Sequence, residues 1–282
     1  MRPTNPGGAG PTSVRSARVS AVRALQQRTV RQERREFLVE GPQAVAEAIG
    51  VPGLVHDLYL TEAALAAHPR LSGHPRPAVV PDAVLAAMAE TRSPQGVVAV
   101  CGFLDVTLGE ALDGAAAPAM VAVLWQIRDP GNAGTVLRTA DAAGAAAVLL
   151  SEESVDVYNG KCVRSSAGSL FHVPVVRDAD VLAAVEDLRA RGFAVLAADG
   201  SGTADLYDLL PGPGSSGVLA GPVAWVFGNE ARGLAPAIAD TVDLTVSIPH
   251  AGRAESLNLA AAASVCLMTT AACQAGRVVR PR

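Results

Sequence analysis

From residue 119 to residue 272, short runs that are apolar at successive positions alternate with longer, helix-patterned ones. "AMVAVLWQI", "AAVLL", "VPVV", "FAVLAAD", "VAWVFG" and "LTVSIP" read as strands. Apolar residues at every position, rather than every second one, mean that both faces of each strand must be covered. Between them, "NAGTVLRTADAAG", "GKCVRSSAGSLF", "ADVLAAVEDLRARG" and "LAPAIADT" read as helices, and Gly192 stops the third. Strands joined through helices predict an α/β fold, a mainly parallel sheet with helices on both faces. The final run, residues 257–272, is apolar nearly all round. At about 16 residues it is short of the roughly 20 needed to span a membrane, and it suits a helix buried in a core. Ser256 or Glu255 stands where that helix starts, and serine is a good N-cap.

The first hundred residues are patterned differently. Residues 1–13 are rich in Pro, Gly, Ser and Thr and are expected to be a disordered tail. Residues 14–35 are Arg-rich and helical in pattern. "EFLVEGPQAVAEAI" reads as a strand, a turn at Gly41–Pro42 and a helix. "LVHDLYLT" and "GVVAVCGF" read as strands, "EAALAAH" and "PDAVLAAMAE" as helices. Residues 14–104 thus have the size of a small α/β domain. Residues 105–118, with "LDGAAAPA", read as a linker to a second domain over 119–282.

Charge is unevenly spread. Residues 1–40 hold eight arginines against three glutamates, in a chain whose net charge is −4. A basic arm on an acidic body suits a polyanionic partner; a solvated terminus has the same composition. A single lysine, Lys161, stands beside 22 arginines, which leaves arginine to make any phosphate contact. With two Trp, three Tyr and five Phe, the core must be filled by Ala, Val and Leu. The four cysteines lack CxxC spacing and sit among apolar residues, as reduced, buried packing groups do. The five histidines do not cluster, so no metal site is expected. No signal peptide or membrane span is read, and a cytoplasmic location is expected.

No GxGxxG follows the first strand of the second domain, and no Walker loop or GxSxG elbow is present. "DGSG" (residues 199–202) follows a strand and is a turn first. Three polar clusters stand out, each at the end of an expected strand: "RDPGNAGTVLRTADAAG" with Asn132 and Arg138, "VFGNEARGL" with Glu230, and "IPHAGRAESLNLAAAA" with Ser256 and Asn258. Each has an ordinary reading by itself: an Arg138–Asp141 pair at i+3, a carboxylate at a helix start, a capping box. Open α/β sheets bind ligands at the carboxyl ends of their strands, and three clusters on one such edge are better explained as one site.

The order N-x5-R, FGNE-x-x-G-L, then IP-x5-ESLN-x-A-x-A resembles the three motifs of the SpoU (TrmH-like) RNA ribose 2′-O-methyltransferases of the SPOUT superfamily. "VRSSAGSLFHVP" is similar to a further family segment, and "FLVEGPQAVAEAI" to the start of the L30e-like RNA-binding domain that many members carry. The resemblance implies a C-terminal trefoil knot whose loops hold S-adenosylmethionine. Those loops are "AADGSG", "FGNE" and "IPHAGRAESLNL" here, with Gly228, Ile248, Leu257, Ala198 and Gly200 as the cofactor contacts. It places Asn132, Arg138, Glu230, Ser256 and Asn258 at the catalytic positions. It makes Arg138, Arg164, Arg232 and Arg253 the candidate RNA contacts; each of the last three suits a solvated surface charge equally. It also implies a homodimer with residues of both subunits at each site. His250 stands where the family often has Met. The activity implied is 2′-O-methylation of RNA, ribosomal before transfer RNA. A non-catalytic RNA-binding or ribosome-assembly protein of the same fold is the rival from another class.

Overall fold

The structure is a computed structural model that describes residues 10–73, 77–212 and 217–278. Residues 1–9, most of the tail expected to be disordered, lie outside the described residues. Two compact units emerge: the described residues up to Leu104 together with Tyr158–Phe171, and Asp105–Val157 together with the residues from His172 on.

In the first unit, α1 (Ala17–Ala24) and α2 (Arg28–Arg34) precede β1 (Glu36–Glu40), α3 (Pro42–Gly50), β2 (Val55–Leu60), α4 (Glu62–Ala67), β3 (Ala78–Val79), α5 (Asp82–Met88) and β4 (Val97–Gly102). The strands form one sheet in the order β1-β4-β2-β3. β4 is central and antiparallel to both neighbours, while the two-residue β3 pairs parallel to β2. Gly41, at φ +91°, makes the turn from β1 into α3, a conformation open to glycine. Val19, Val22 and Leu25 of the Arg-rich segment are buried against Leu38, Tyr59, Leu85, Met88 and Val98.

The basic arm is therefore part of a domain, and several of its arginines act inside it. Arg31 is buried and donates to the Leu25 and Gln26 carbonyls just past the end of α1, both at 2.9 Å. Arg18 donates to Tyr59 Oη at 2.8 Å and to Asp57 at 2.7 Å. Arg34 reaches the Ala21 carbonyl, and Arg35 lies over the Phe103 ring. Helix-end carbonyls need partners, and a guanidinium supplies several donors at once.

The second unit holds α6 (Leu108–Leu112), β5 (Met120–Leu124), α7 (Pro130–Ala143), β6 (Ala147–Ser151), β7 (Val175–Ala179), α9 (Val181–Ala190), β8 (Ala194–Ala198), β9 (Ala204–Asp205), β10 (Val223–Phe227), α10 (Pro236–Ala239), β11 (Leu244–Ser247) and α11 (Leu259–Gln274). Helix α8 (Gly160–Ser165) interrupts this series but falls in the first unit, where Tyr158 stacks on Phe103 and meets Phe37 at a tilt. The helix expected over "GKCVRSSAGSLF" is broken after α8 by positive φ at Ala167 and Gly168. Residues 105–118, expected as a linker, carry α6 in a capping box of Thr107 and Glu110, with Ala111 buried in the second unit's core.

The seven strands run in the order β7-β6-β5-β10-β8-β11-β9, and every pairing is parallel. β5, β6 and β10 are buried at every position. Strand geometry sends alternate residues to opposite faces. Val121, Val123, Ala224 and Val226 pack with Val185, Leu188 and Ile238 on one face. Trp225, on the other, donates its indole N–H to Thr270 Oγ1 of α11 at 2.9 Å. α11 also packs along α7.

Two expectations about α11 change. Its N-cap is Asn258 rather than Ser256 or Glu255, because the Asn258 side chain accepts from the Ala260 and Ala261 N–H groups. The helix is also not buried all round. Ala260, Ala263, Cys266, Leu267, Thr270 and Cys273 face inward, while Ala261 and Met268 are exposed. All four cysteines are buried and none is in a disulfide; burial pushes the Cys266 thiol up to about 12, so it stays a protonated packing group. No helix among the described residues is long and apolar enough to cross a membrane.

Arg31→Ala leaves two carbonyls at the end of α1 without their charged donor. The expected loss is about 1.5–3 kcal/mol, read as a lower urea midpoint. An unchanged midpoint would show that Arg31 does not hold the Arg-rich helices in place.

Candidate functional site

At the carboxyl ends of β8, β10 and β11 the second unit opens a cleft of about 440 Å³. The register explains why it forms there. Phe227 of β10 pairs with Ala198 of β8, and Val246 of β11 pairs with Ala198 from the other side. Three strands that are neighbours in the sheet thus end at one level, and the loops that leave them wall one space.

Close backbone passages set the shape of that space. A Cβ on Gly228 would stand 2.6 Å from the Gly233 carbonyl carbon, and one on Gly202 would stand 2.6 Å from Ser247 N. Real side chains do not tolerate such distances, so both positions need glycine. Residues 228–233 close on themselves: Asn229 and Gly233 exchange backbone hydrogen bonds of 2.9 Å. The Asn229 side chain fastens this turn to the neighbouring one. Its Oδ1 accepts from the Ala231 and Arg232 N–H groups, and its Nδ2 donates to the Gln126 carbonyl at 2.7 Å. Gln126 itself sits at φ +51°, a costly conformation for a residue with a side chain.

A directional chain of hydrogen bonds crosses the rim. Glu230 Oε1 accepts from Asn132 Nδ2 at 3.1 Å, and the same carboxylate lies 3.4 Å from the backbone nitrogens of Arg128 and Asp129. Asn132 Oδ1 in turn accepts from Asn258 Nδ2 at 3.2 Å. Asn258 Oδ1 caps α11, accepting from Ala260 N at 2.9 Å. A carboxylate only accepts, so each amide in the series has one allowed orientation. Asn132 lies in the first turn of α7, where Asp129 is the N-cap.

All five positions expected to contact a cofactor, Gly228, Ile248, Leu257, Ala198 and Gly200, line this cleft, as do Glu230, Ser256 and Asn258. Asn132 joins them through its hydrogen bonds. Arg138 does not line it. Arg138 is exposed on α7 and makes no ion pair among the described residues; Asp141, its candidate partner at i+3, instead meets His172 Nδ1 at 2.9 Å. Arg232 and Arg253 are exposed on the two loops beside the cleft. Arg164 lies in the first unit, 3.1 Å from Glu90 and 3.8 Å from Glu40, so its charge is already paired there.

Three cleft or rim side chains carry roles that sequence reasoning did not assign. Asn229 staples two loops; its signal was an Asn directly after a strand-ending Gly, a common turn geometry. Asp199 lines the cleft from the loop after β8. His250 also lines it and donates Nδ1–H to the Ile248 carbonyl at 2.8 Å.

Comparison with known proteins adds to this geometry. The model of the SpoU rRNA Methylase family matches residues 119–268, and that of the MRM3-like substrate binding domain matches residues 16–99. The 23S rRNA (guanosine(2553)-2′-O)-methyltransferase RlmP of Bacillus subtilis is 34% identical over 90% of this chain and 95% of its own. Two crystal structures are similar at 30% identity. One is the AdoMet-bound rRNA methyltransferase from Sinorhizobium meliloti, with a TM-score of 0.78 over 92% of this chain and 96% of that one. The other is the SpoU methyltransferase AviRb from Streptomyces viridochromogenes in complex with the cofactor AdoMet, with a TM-score of 0.79 over 91% and 98%.

Gly228→Ala forces the 228–233 turn open at the mouth of the cleft. A loss of about 1–3 kcal/mol is expected, as for other overpacked sites, measured by urea unfolding followed through tryptophan fluorescence. A variant as stable as the parent would mean that the Gly228–Gly233 contact does not constrain the loop.

Proposed function

Because the chain belongs to the SpoU rRNA methylase family, we propose that it transfers a methyl group from S-adenosylmethionine to a ribose 2′-hydroxyl of ribosomal RNA, of the 23S type. The observation that carries the proposal is the meeting of three loops in one cleft with the Glu230–Asn132–Asn258 chain at its rim. The cleft suits the cofactor. Its volume falls in the range of small-molecule sites. Val246, Ile248, Leu257 and Ala262 offer an apolar seat for a purine, and the glycine-lined turns let backbone polar groups come close. When bound, S-adenosylmethionine supplies an electrophilic methyl group on a positively charged sulfur.

The chain's own residues do the rest. A ribose 2′-hydroxyl is a weak nucleophile near neutral pH and must lose its proton as it attacks. Arg138 clamps the adjoining RNA phosphate and stabilises the charge developing on the oxygen. A guanidinium rarely releases its proton, so the hydroxyl proton leaves to phosphate or water. Asn132, Ser256 and Asn258 orient the sugar and the arginine, while Glu230 holds the 128–132 turn in position. Arg232 and Arg253 contact RNA phosphates near the cleft, and the first unit binds RNA as well. Arg164, paired with Glu90, contributes by holding α8.

A second copy of the chain completes the site. Arg138 sits outside the cleft of its own chain on α7, and α11 beside it exposes Ala261 and Met268. Pairing two copies through α7 and α11 covers the apolar stripe and brings each Arg138 to the partner's cleft. The loops after β8 and β11 form the trefoil knot, a reading supported by the tight passage of Gly202 against Val246 and Ser247. The protein works in the cytoplasm, where ribosomal RNA is its substrate.

Arg138→Ala is expected to bind S-adenosylmethionine with wild-type affinity by calorimetry. Methyl transfer to purified ribosomal RNA, counted as 2′-O-methyl nucleoside, should fall by roughly a hundredfold or more. Equal turnover removes Arg138 from the mechanism. A wild-type protein that binds the cofactor but methylates neither ribosomal nor transfer RNA leaves the non-catalytic RNA-binding alternative standing.

A further inference from the structure

The loop after β8 places one carboxylate in the cleft that the mechanism above does not use. We propose that Asp199 binds the ribose diol of the cofactor, as a side-chain ligand that fixes the nucleoside half; the proposal rests on the cleft being the S-adenosylmethionine site.

Asp199 is half-buried and rigidly held. Its N–H donates to the Val246 carbonyl, and its own carbonyl accepts from Gly202 N–H, both at 3.0 Å. Oδ1 is occupied, accepting from Ser201 N–H at 2.8 Å and from the Ser201 hydroxyl at 2.6 Å. Oδ2 makes no hydrogen bond among the described residues. It lies 3.7 Å from the point where a Cβ on Gly233 would stand, so it faces the turn after β10. The carboxylate is thus aimed by its first oxygen and available through its second.

Position in the sheet selects the group it meets. β8 lies between β10 and β11. On the β11 side Val246, Ile248 and Leu257 form an apolar wall, with His250, Ser256 and Asn258 on the segment that follows the strand, and the β10 side leads to Glu230, which Asn132 engages. A purine on the first side and a reacting methyl on the second leave the ribose in the middle, over the end of β8. The cleft's other carboxylate, Glu230, is already engaged by Asn132 and two backbone N–H groups. A carboxylate at the carboxyl end of a parallel strand is also how dinucleotide-binding sheets hold a ribose hydroxyl, here reached with unrelated loops.

The test is calorimetric binding of S-adenosylhomocysteine and of its 2′,3′-dideoxy analogue to the full chain and to Asp199→Asn. The asparagine keeps an oxygen for the Ser201 turn and removes the charge. The substitution is expected to weaken S-adenosylhomocysteine by roughly ten- to a hundredfold, the scale of a charge-assisted hydrogen bond. It should leave the dideoxy analogue within about twofold of wild type. Equal affinity of both proteins for S-adenosylhomocysteine overturns the proposal. So does an equal loss for both ligands, which would assign Asp199 to loop structure or to the amino-acid end of the cofactor. Failure of the wild-type protein to bind either ligand instead removes the cofactor reading of the cleft, and this assignment with it.

Discussion

Neighbouring parallel strands end level with one another, and the cleft exists because of it. The pairing of Phe227 and Val246 with the same residue, Ala198, puts the exits of β10, β8 and β11 side by side. Each strand then has to be left by a turn that does not collide with its neighbours. Glycine at 202 and 228 meets that demand at the two tightest passages. The apolar strands and the packed faces beneath supply most of the favourable burial. The cleft is the part of the sheet edge that they support without filling.

Polar groups then refine a shape that packing has set. Asn229 fastens the turn after β10 to the turn after β5. Glu230 reaches the 128–132 segment across about a hundred residues of sequence, by hydrogen bonds of moderate length. Amide and carboxylate groups bring these turns together, the amides with a defined donor and acceptor end and the carboxylate as acceptor only. This is how a rim at the surface of one unit keeps a fixed geometry although several of its members are exposed.

Most strands and helices of the second unit were legible because their pattern is strong, unbroken apolar runs with Asp180 before and Gly192 after a clean amphipathic helix, whereas α6 and the two-residue β9 were not. The motif residues were legible as a set, because Asn132, Glu230 and Asn258 each stood at a strand exit. Their mutual hydrogen bonds were not, since spacing along a chain carries no information about which amide faces which. The start of α11 was misplaced for a related reason. Ser256 and Asn258 are both good caps, and the one that takes the position, Asn258, also bonds Asn132, 126 residues away. In the N-terminal segment, composition suggested a charged arm, whereas burial of Val19, Val22 and Leu25 decided a folded one. Counting arginines could not separate those that reach solvent from those, like Arg31, that cap a helix end. Two-residue β3 left no detectable pattern.

Asn258 closes α11 with its oxygen and holds Asn132 with its nitrogen. One amide therefore answers to two masters. Aspartate or serine could satisfy the helix, and a lysine could offer a donor to Asn132, but neither exchange serves both ends. A replacement that keeps the cap would still break the link to Asn132, so this position has two geometric demands where an ordinary helix cap has one.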